Sequence, residues 1–195
     1  NNDPFHGGQH LPDVFLFSPI FFEGELVGFS ATVAHHLDLG GGAPGLNPDT
    51  TDVHQEGLIV PPSKYNHARD WSGGPLERLI RANIRVPNQT IGDFNAQFAA
   101  NFMGAERVRD LCAKFGPDTV DAAMAELLDY SERRMRQAIA TAPDGVYTGE
   151  DWMDDDGDSD EPVPVRATVT IKGDSIAVDF TGTAGPVPTK MRSEE

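Results

Sequence analysis

A single cysteine, Cys112, stands alone among 195 residues, so no disulfide can close within the chain. It falls in the helical pattern Arg109-Asp110-Leu111-Cys112-Ala113 with no histidine nearby, which marks a buried bystander rather than a nucleophile. No apolar run approaches the roughly 18 residues that a membrane-spanning helix needs. The start, Asn1-Asn2-Asp3-Pro4, has neither the basic beginning nor the apolar stretch of a secretory signal. These absences fit a cytoplasmic protein without a membrane partner. Positive charge is also scarce. Fifteen Lys and Arg face 31 Asp and Glu, a net charge of −16. Such a polyanion repels nucleic acid rather than gripping it. The phosphate-loop patterns GxxxxGK[ST] and GxGxxG are missing, as are HExxH and paired CxxC metal signals.

What is present reads as an α+β protein in three textures. Its 38% hydrophobic and 24% charged residues are ordinary for a globular chain. Residues 1–67 are rich in Gly, Pro and His and carry two strand-like runs, Val14 to Phe22 and Glu25 to Ala34. The connection Phe22-Glu23-Gly24-Glu25 reads as a hairpin turn, and Gly40-Gly41-Gly42, Pro44-Gly45 and Pro48-Asp49 mark an irregular loop. Residues 68–144 are helical. Leu76, Leu79, Ile80 and Ile84 fall at helix spacing until Pro87 stops that helix, and a second runs from Asp93 to Phe115 on Phe94, Phe98 and Phe102. Gly116-Pro117 ends it and opens a third, which extends to about Ala142. Its Arg133, Arg134 and Arg136 read as solvated surface near the helix C-terminus.

Residues 145–195 return to strands. Val163 to Lys172 and Ser175 to Phe180 flank Gly173-Asp174, a hairpin signal. The acidic run Asp154 to Glu161 fails the EF-hand pattern, since Glu161 stands where glycine is needed and Ala167 where glutamate is needed. An exposed, mobile acidic turn is the expectation.

Chemistry concentrates near the first hairpin, in residues 3–42. Four of the six histidines lie in the first 36 residues, and two His-x-x-Asp pairs stand out, His10/Asp13 and His35/Asp38. A turn at Glu23-Gly24 sets residue 10 opposite residue 37 and Asp13 opposite Ala34, so both pairs reach the same end of one hairpin. Two imidazoles with one or two carboxylates match the ligand set of Zn²⁺, Mn²⁺ or Fe²⁺, and three protein ligands suit a catalytic site. Gly7-Gly8 and Gly40-Gly41-Gly42 provide backbone able to approach a ligand closely. The competing reading is a polar strand-end cluster of histidines bonded to backbone.

The same residues resemble a known family. Asn2-Asp3-Pro4-Phe5-His6-Gly7-Gly8-Gln9-His10-Leu11-Pro12-Asp13 is similar to a block of the hydantoinase B/5-oxoprolinase family. So are Gly24 to Phe29, Ala34 to Gly41, Gln55 to Pro62, Gly92 to Gln97 and Asp179 to Thr183, all in the family's order. The resemblance implies the B-type, metal-holding subunit of a hetero-oligomer. A separate A-type subunit uses ATP and Mg²⁺ to activate an amide or enolate oxygen, and the B component completes the reaction. That reaction is hydrolysis of a cyclic amide such as a hydantoin, 5-oxoproline or a lactam. In the acetone and acetophenone carboxylase branch it is carboxylation of a ketone.

Carried onto this chain, the family's pattern places the divalent metal, Zn or Mn, on His10, Asp13 and His35. Asp38, His36 and Glu56 become the candidates for general base or for orienting a ligand. Family B components are longer on both sides of this block, and the tail Lys190 to Glu195 does not continue the pattern. The chain therefore reads as part of a larger α/β subunit, with a complete site needing residues from elsewhere. A truncated, non-catalytic partner protein is the remaining alternative.

Overall fold

The structure, a computed structural model, describes residues 1–47, 50–156 and 159–185. Pro48-Asp49, Gly157, Asp158 and the tail from Lys190 lie outside the described residues. The chain forms two compact units that divide between Val120 and Asp121. It mixes helix with two small antiparallel sheets, as an α+β reading requires.

The first unit begins with the expected hairpin, β1 (Asp13–Phe22) and β2 (Glu25–His35). Its turn residues Glu23 and Gly24 both take positive φ, 51° and 90°, as a two-residue type I′ turn demands. Beside the turn, Phe21 pairs with Leu26 as that turn dictates. Beyond a bulge the register moves by one residue. Ile20 pairs with Gly28, which leaves Val27 as the extra residue. The expected partner of Asp13, Ala34, is therefore corrected to His35.

From the bulge to the open end, even-numbered strand residues face inward, with Val14 and Ile20 buried, while Phe17, Phe29 and Val33 on the other face are exposed, as are Phe21 and Leu26 beside the turn. Helix α1 (Pro75–Asn83) precedes α2 (Pro87–Phe115). Pro87 ends the first pattern, as expected, but α2 starts at that proline rather than at Asp93. A proline suits this position because the first helical N–H has no partner to lose. It also biases Val86 away from helix, so one residue punctuates both elements.

Helix α2 packs on the inner face of the hairpin. Its buried stripe is Thr90, Ile91, Phe94, Gln97, Asn101, Ala105 and Cys112, so Cys112 is the buried bystander expected. The apolar core gathers Val14, Leu39, Trp71, Ile80, Ile84, Ile91 and Phe94. The polar members of the stripe bind backbone. Gln97 Nε2 donates to Val14 O at 2.9 Å and Asn101 Nδ2 to Leu16 O at 3.1 Å. Each of those buried donors is thereby satisfied.

Helix α3 (Pro117–Ile139) begins directly after Gly116 and stops three residues short of Ala142. In the second unit the expected C-terminal hairpin is extended to a three-stranded sheet, ordered β3 (Gly145–Met153), β4 (Val163–Lys172), β5 (Ser175–Asp179). Glu150 faces Arg166 across β3 and β4 and pairs with it at 2.8 Å. The turn after β5 is built by its own side chains. Asp179 Oδ1 accepts from Thr181 N and Oγ1, and Thr183 Oγ1 both accepts from Arg166 N and donates to Arg166 O. In the acidic connection Asp154 and Asp155 are exposed, but Asp156 is buried and accepts from Ser159 N. That corrects the expectation of a wholly exposed turn. Among the described residues no helix is long and apolar enough to cross a membrane.

Candidate metal centre

Asp13 opens β1 and His35 closes β2, so the ladder itself sets them side by side. His10 arrives from the turn before β1, where Asp13 N donates to His10 O at 2.9 Å. One carboxylate serves both rings. Asp13 Oδ1 lies 2.8 Å from His35 Nδ1, and its Oδ2 lies 2.9 Å from His10 Nδ1. The two imidazoles meet edge to face with centroids 5.9 Å apart. One ligand atom from each of the three residues falls within 4.8 Å of the others. Side-chain exposures of 36% for His10, 15% for Asp13 and 45% for His35 leave the group open to a small ligand.

This donor set fits a borderline divalent ion: two imidazole nitrogens, one carboxylate and an open side. Burial alone would raise the Asp13 carboxyl. The hydrogen bonds and charges of His35 and His10 outweigh it and hold Asp13 below the usual carboxylate range. The carboxylate is therefore ionised, the form a cation needs.

The remaining candidates sit elsewhere. His36 follows His35 directly yet lies on the opposite, inner side of the hairpin, fully buried and stacked on Phe94 at 4.0 Å. Burial pushes its imidazole down, against the raising pull of Gln97 and Asp93. Asp38 is also fully buried. Its carboxylate accepts from Gly40 N at 2.8 Å, from Arg85 N, and from Arg85 Nη1 at 3.2 Å. It thereby joins the loop after β2 to the link between α1 and α2. Glu56 caps the 3₁₀ turn Val53–Gln55 and is half-buried. His6 pairs with Asp3 at 2.9 Å and does not join the trio.

Gly40 and Gly41 lie close against backbone. A Cβ on Gly41 would collide with Gln55 O, and one on Gly40 would fall 2.7 Å from Asn83 O. They let the loop after β2 lie against two neighbouring segments.

The hydantoinase B/oxoprolinase family model matches residues 1–194. The chain belongs to the hydantoinase B/oxoprolinase family. Within it, the chain is 40% identical over 200 residues to the B component of a putative D-/L-hydantoinase from Pseudomonas sp. (strain NS671), covering 97% of this chain and 33% of that protein. The crystal structure of the ATP-dependent caprolactamase from Pseudomonas jessenii matches with a TM-score of 0.80 at 32% identity, over 96% of this chain and 32% of that one. A nucleotide-free acetone carboxylase shares the fold, with a TM-score of 0.79 at 21% identity over 94% of this chain and 26% of that one. The chain spans about a third of the length of the hydantoinase and caprolactamase relatives and about a sixth of that of the 5-oxoprolinases.

Several residues that fix the fold of this hydantoinase B-family chain carry no periodic signal. Gln97, Asn101 and Arg85 are polar side chains whose roles arise from what faces them across the fold. Asn2 is fully buried and binds Leu11 O, Leu58 O and Val60 N. Only the motif strings around Asn2 and Gln97 pointed to those two.

Proposed function

We propose that this chain is the metal-holding part of an ATP-dependent cyclic-amide hydrolase, acting with a separate ATP-using A-type subunit. The observation that carries the reading is the single Asp13 carboxylate bonded to both His10 and His35, within a family that includes a caprolactamase. His10, Asp13 and His35 are the ligands of one divalent ion, Zn or Mn. When bound, such an ion lowers the pKa of water and neutralises developing negative charge on oxygen.

The division of labour follows from amide chemistry. An unstrained amide is a poor electrophile, and phosphorylation of its oxygen on the ATP-using component makes the carbon open to water. The ring nitrogen then leaves as the amine as the C–N bond breaks, and a second water hydrolyses the resulting acyl phosphate to carboxylate and phosphate. Asp13 keeps both imidazoles turned toward one point. His36 and Asp38, each buried and bonded within the fold, hold the ligand-bearing segments in place. Glu56, the partly exposed member of the three, is the candidate for moving a proton.

The test is reconstitution with an A-type subunit of the family, with hydantoin, 5-oxoproline and caprolactam as substrates. ATP-dependent ring opening that disappears in His10→Ala supports the reading. Bicarbonate-dependent consumption of acetone or acetophenone, without ring opening, assigns the chain to ketone carboxylation. Full activity in His10→Ala makes it a non-catalytic partner.

A further inference from the structure

One side chain ties together the two strand ends that carry the metal ligands, and it comes from the helix behind them. Gln97 of α2 donates from Nε2 to Val14 O at 2.9 Å, one residue after Asp13. Its Oε1 lies 2.8 Å from His36 Nε2, one residue after His35. The Val14 carbonyl can only accept, so the amide nitrogen must face it and the amide oxygen must face His36. His36 Nε2 is therefore the protonated ring nitrogen. Its Nδ1 is buried and finds no hydrogen-bond partner among the described residues. Phe94, one helical turn before Gln97, stacks on the same imidazole at 4.0 Å with 19° between planes. A backbone bond from His36 N to Pro12 O at 2.9 Å closes the strand ends on the ligand side of this clamp.

We propose that Gln97 is a positioning residue for the metal centre: it fixes the spacing of Asp13 and His35 by clamping Val14 and His36 against α2. The proposal rests on the metal reading above and deepens it. Strand alternation places Val14 and His36 on the inner face and the ligands on the outer one, so the clamp grips from behind without competing for the ion. A two-stranded ribbon is otherwise free to twist at its open end, where Asp13 and His35 sit. Asn101 makes the same type of bond to Leu16 O, farther along the hairpin from the ligands. It is a built-in comparison.

The experiment measures Zn²⁺ affinity of the 195-residue chain by competition with a chromophoric chelator, together with the absorption spectrum of bound Co²⁺ and the melting temperature. Gln97→Met keeps the side-chain length and loses both bonds. It should weaken Zn²⁺ binding about 10-fold or more, the usual cost of losing a group that orients a ligand, and should change the Co²⁺ spectrum. Asn101→Leu should lower the melting temperature while leaving affinity and spectrum as in the wild type.

Wild-type affinity and spectrum in Gln97→Met would overturn the proposal, as would an equal loss of affinity in Asn101→Leu. If Gln97→Met does not fold, Gln97→Glu keeps the acceptor for His36 and loses the donor to Val14, and it is judged on the same terms. His10→Ala separates the two levels of inference. Undiminished binding there overturns the metal reading itself, whereas lost binding there with intact binding in the Gln97 variant overturns only the role of Gln97.

Discussion

Asp13 lies directly opposite His35 across the hairpin, with Oδ1 of one 2.8 Å from Nδ1 of the other. His10 takes the second carboxylate oxygen, so Asp13 is the hub of the group. Removing the hub should cost more than removing either ring. Asp13→Ala and His10→Ala should each reduce bound Zn or Mn by about 10-fold or more, with Asp13→Ala the more severe. Elemental analysis of purified protein measures this directly, and wild-type metal content in both variants would contradict the assignment.

The first hairpin shows what a sequence can and cannot disclose. Glu23-Gly24 was readable as a turn because the requirement is local: both residues need positive φ, and glycine supplies one of them at no cost. The partner of Asp13 was not readable. It depends on the bulge at Val27, which single-strand alternation does not signal. Hence the trio His10, Asp13 and His35 was legible as a neighbourhood, and its pairing was not.

Helix α2 presents a different difficulty. The Phe94, Phe98 and Phe102 stripe announced the helix, but Thr90, Gln97 and Asn101 look like surface residues by type. They are buried because strand carbonyls and His36 are there to receive them. The strand Gly145–Met153 falls in the region expected to be β but was not delimited there, most of it being exposed with no two-residue alternation of burial.

Arg85 should matter to stability more than its surface position suggests. It is the cation of the fully buried Asp38, and its Nη2 also donates to Gly41 O. Arg85→Ala leaves that carboxylate without its cation, at a cost of about 2 kcal/mol, kept modest because the guanidinium is partly in solvent. Urea denaturation tests this, and an unchanged midpoint would remove Arg85 from the account of the loop.

Two glycines separate backbone strain from crowding. Gly7 has φ 89° with open space around it, while Gly41 has φ 74° with Gln55 O where a methyl group would go. Gly7→Ala should cost about 1–2 kcal/mol from the left-handed backbone alone. Gly41→Ala should cost distinctly more, because Gln55 and Glu56 must move. Equal melting temperatures for the two variants would show that the 55–57 segment yields freely.

Acid should weaken the fold partly through Asp70. The Arg69 guanidinium holds it by two bonds, with help from Asn66 N, and its carboxyl is lowered from 3.8 to about 2. A group depressed in the folded state stabilises above its unfolded pKa and loses that contribution as pH falls through the folded one. The stability difference between wild type and Asp70→Asn should therefore be constant above about pH 5 and shrink from about pH 4 toward pH 2. Chemical denaturation at stepped pH measures it, and a difference that does not change over that window would show that Asp70 carries no such linkage.

The alternation of the first hairpin has a genetic consequence. From the open end to the bulge, even positions answer to the helix, while odd positions hold Asp13 and His35 beside Phe15 and Val33. Inheritance can therefore edit the two sets separately, retuning the odd residues while the even ones keep the protein folded. The arrangement has one shared vulnerability. A single-codon deletion inside β1 would turn every residue of that strand on one side of the gap to the opposite face, disturbing chemistry and packing in the same event.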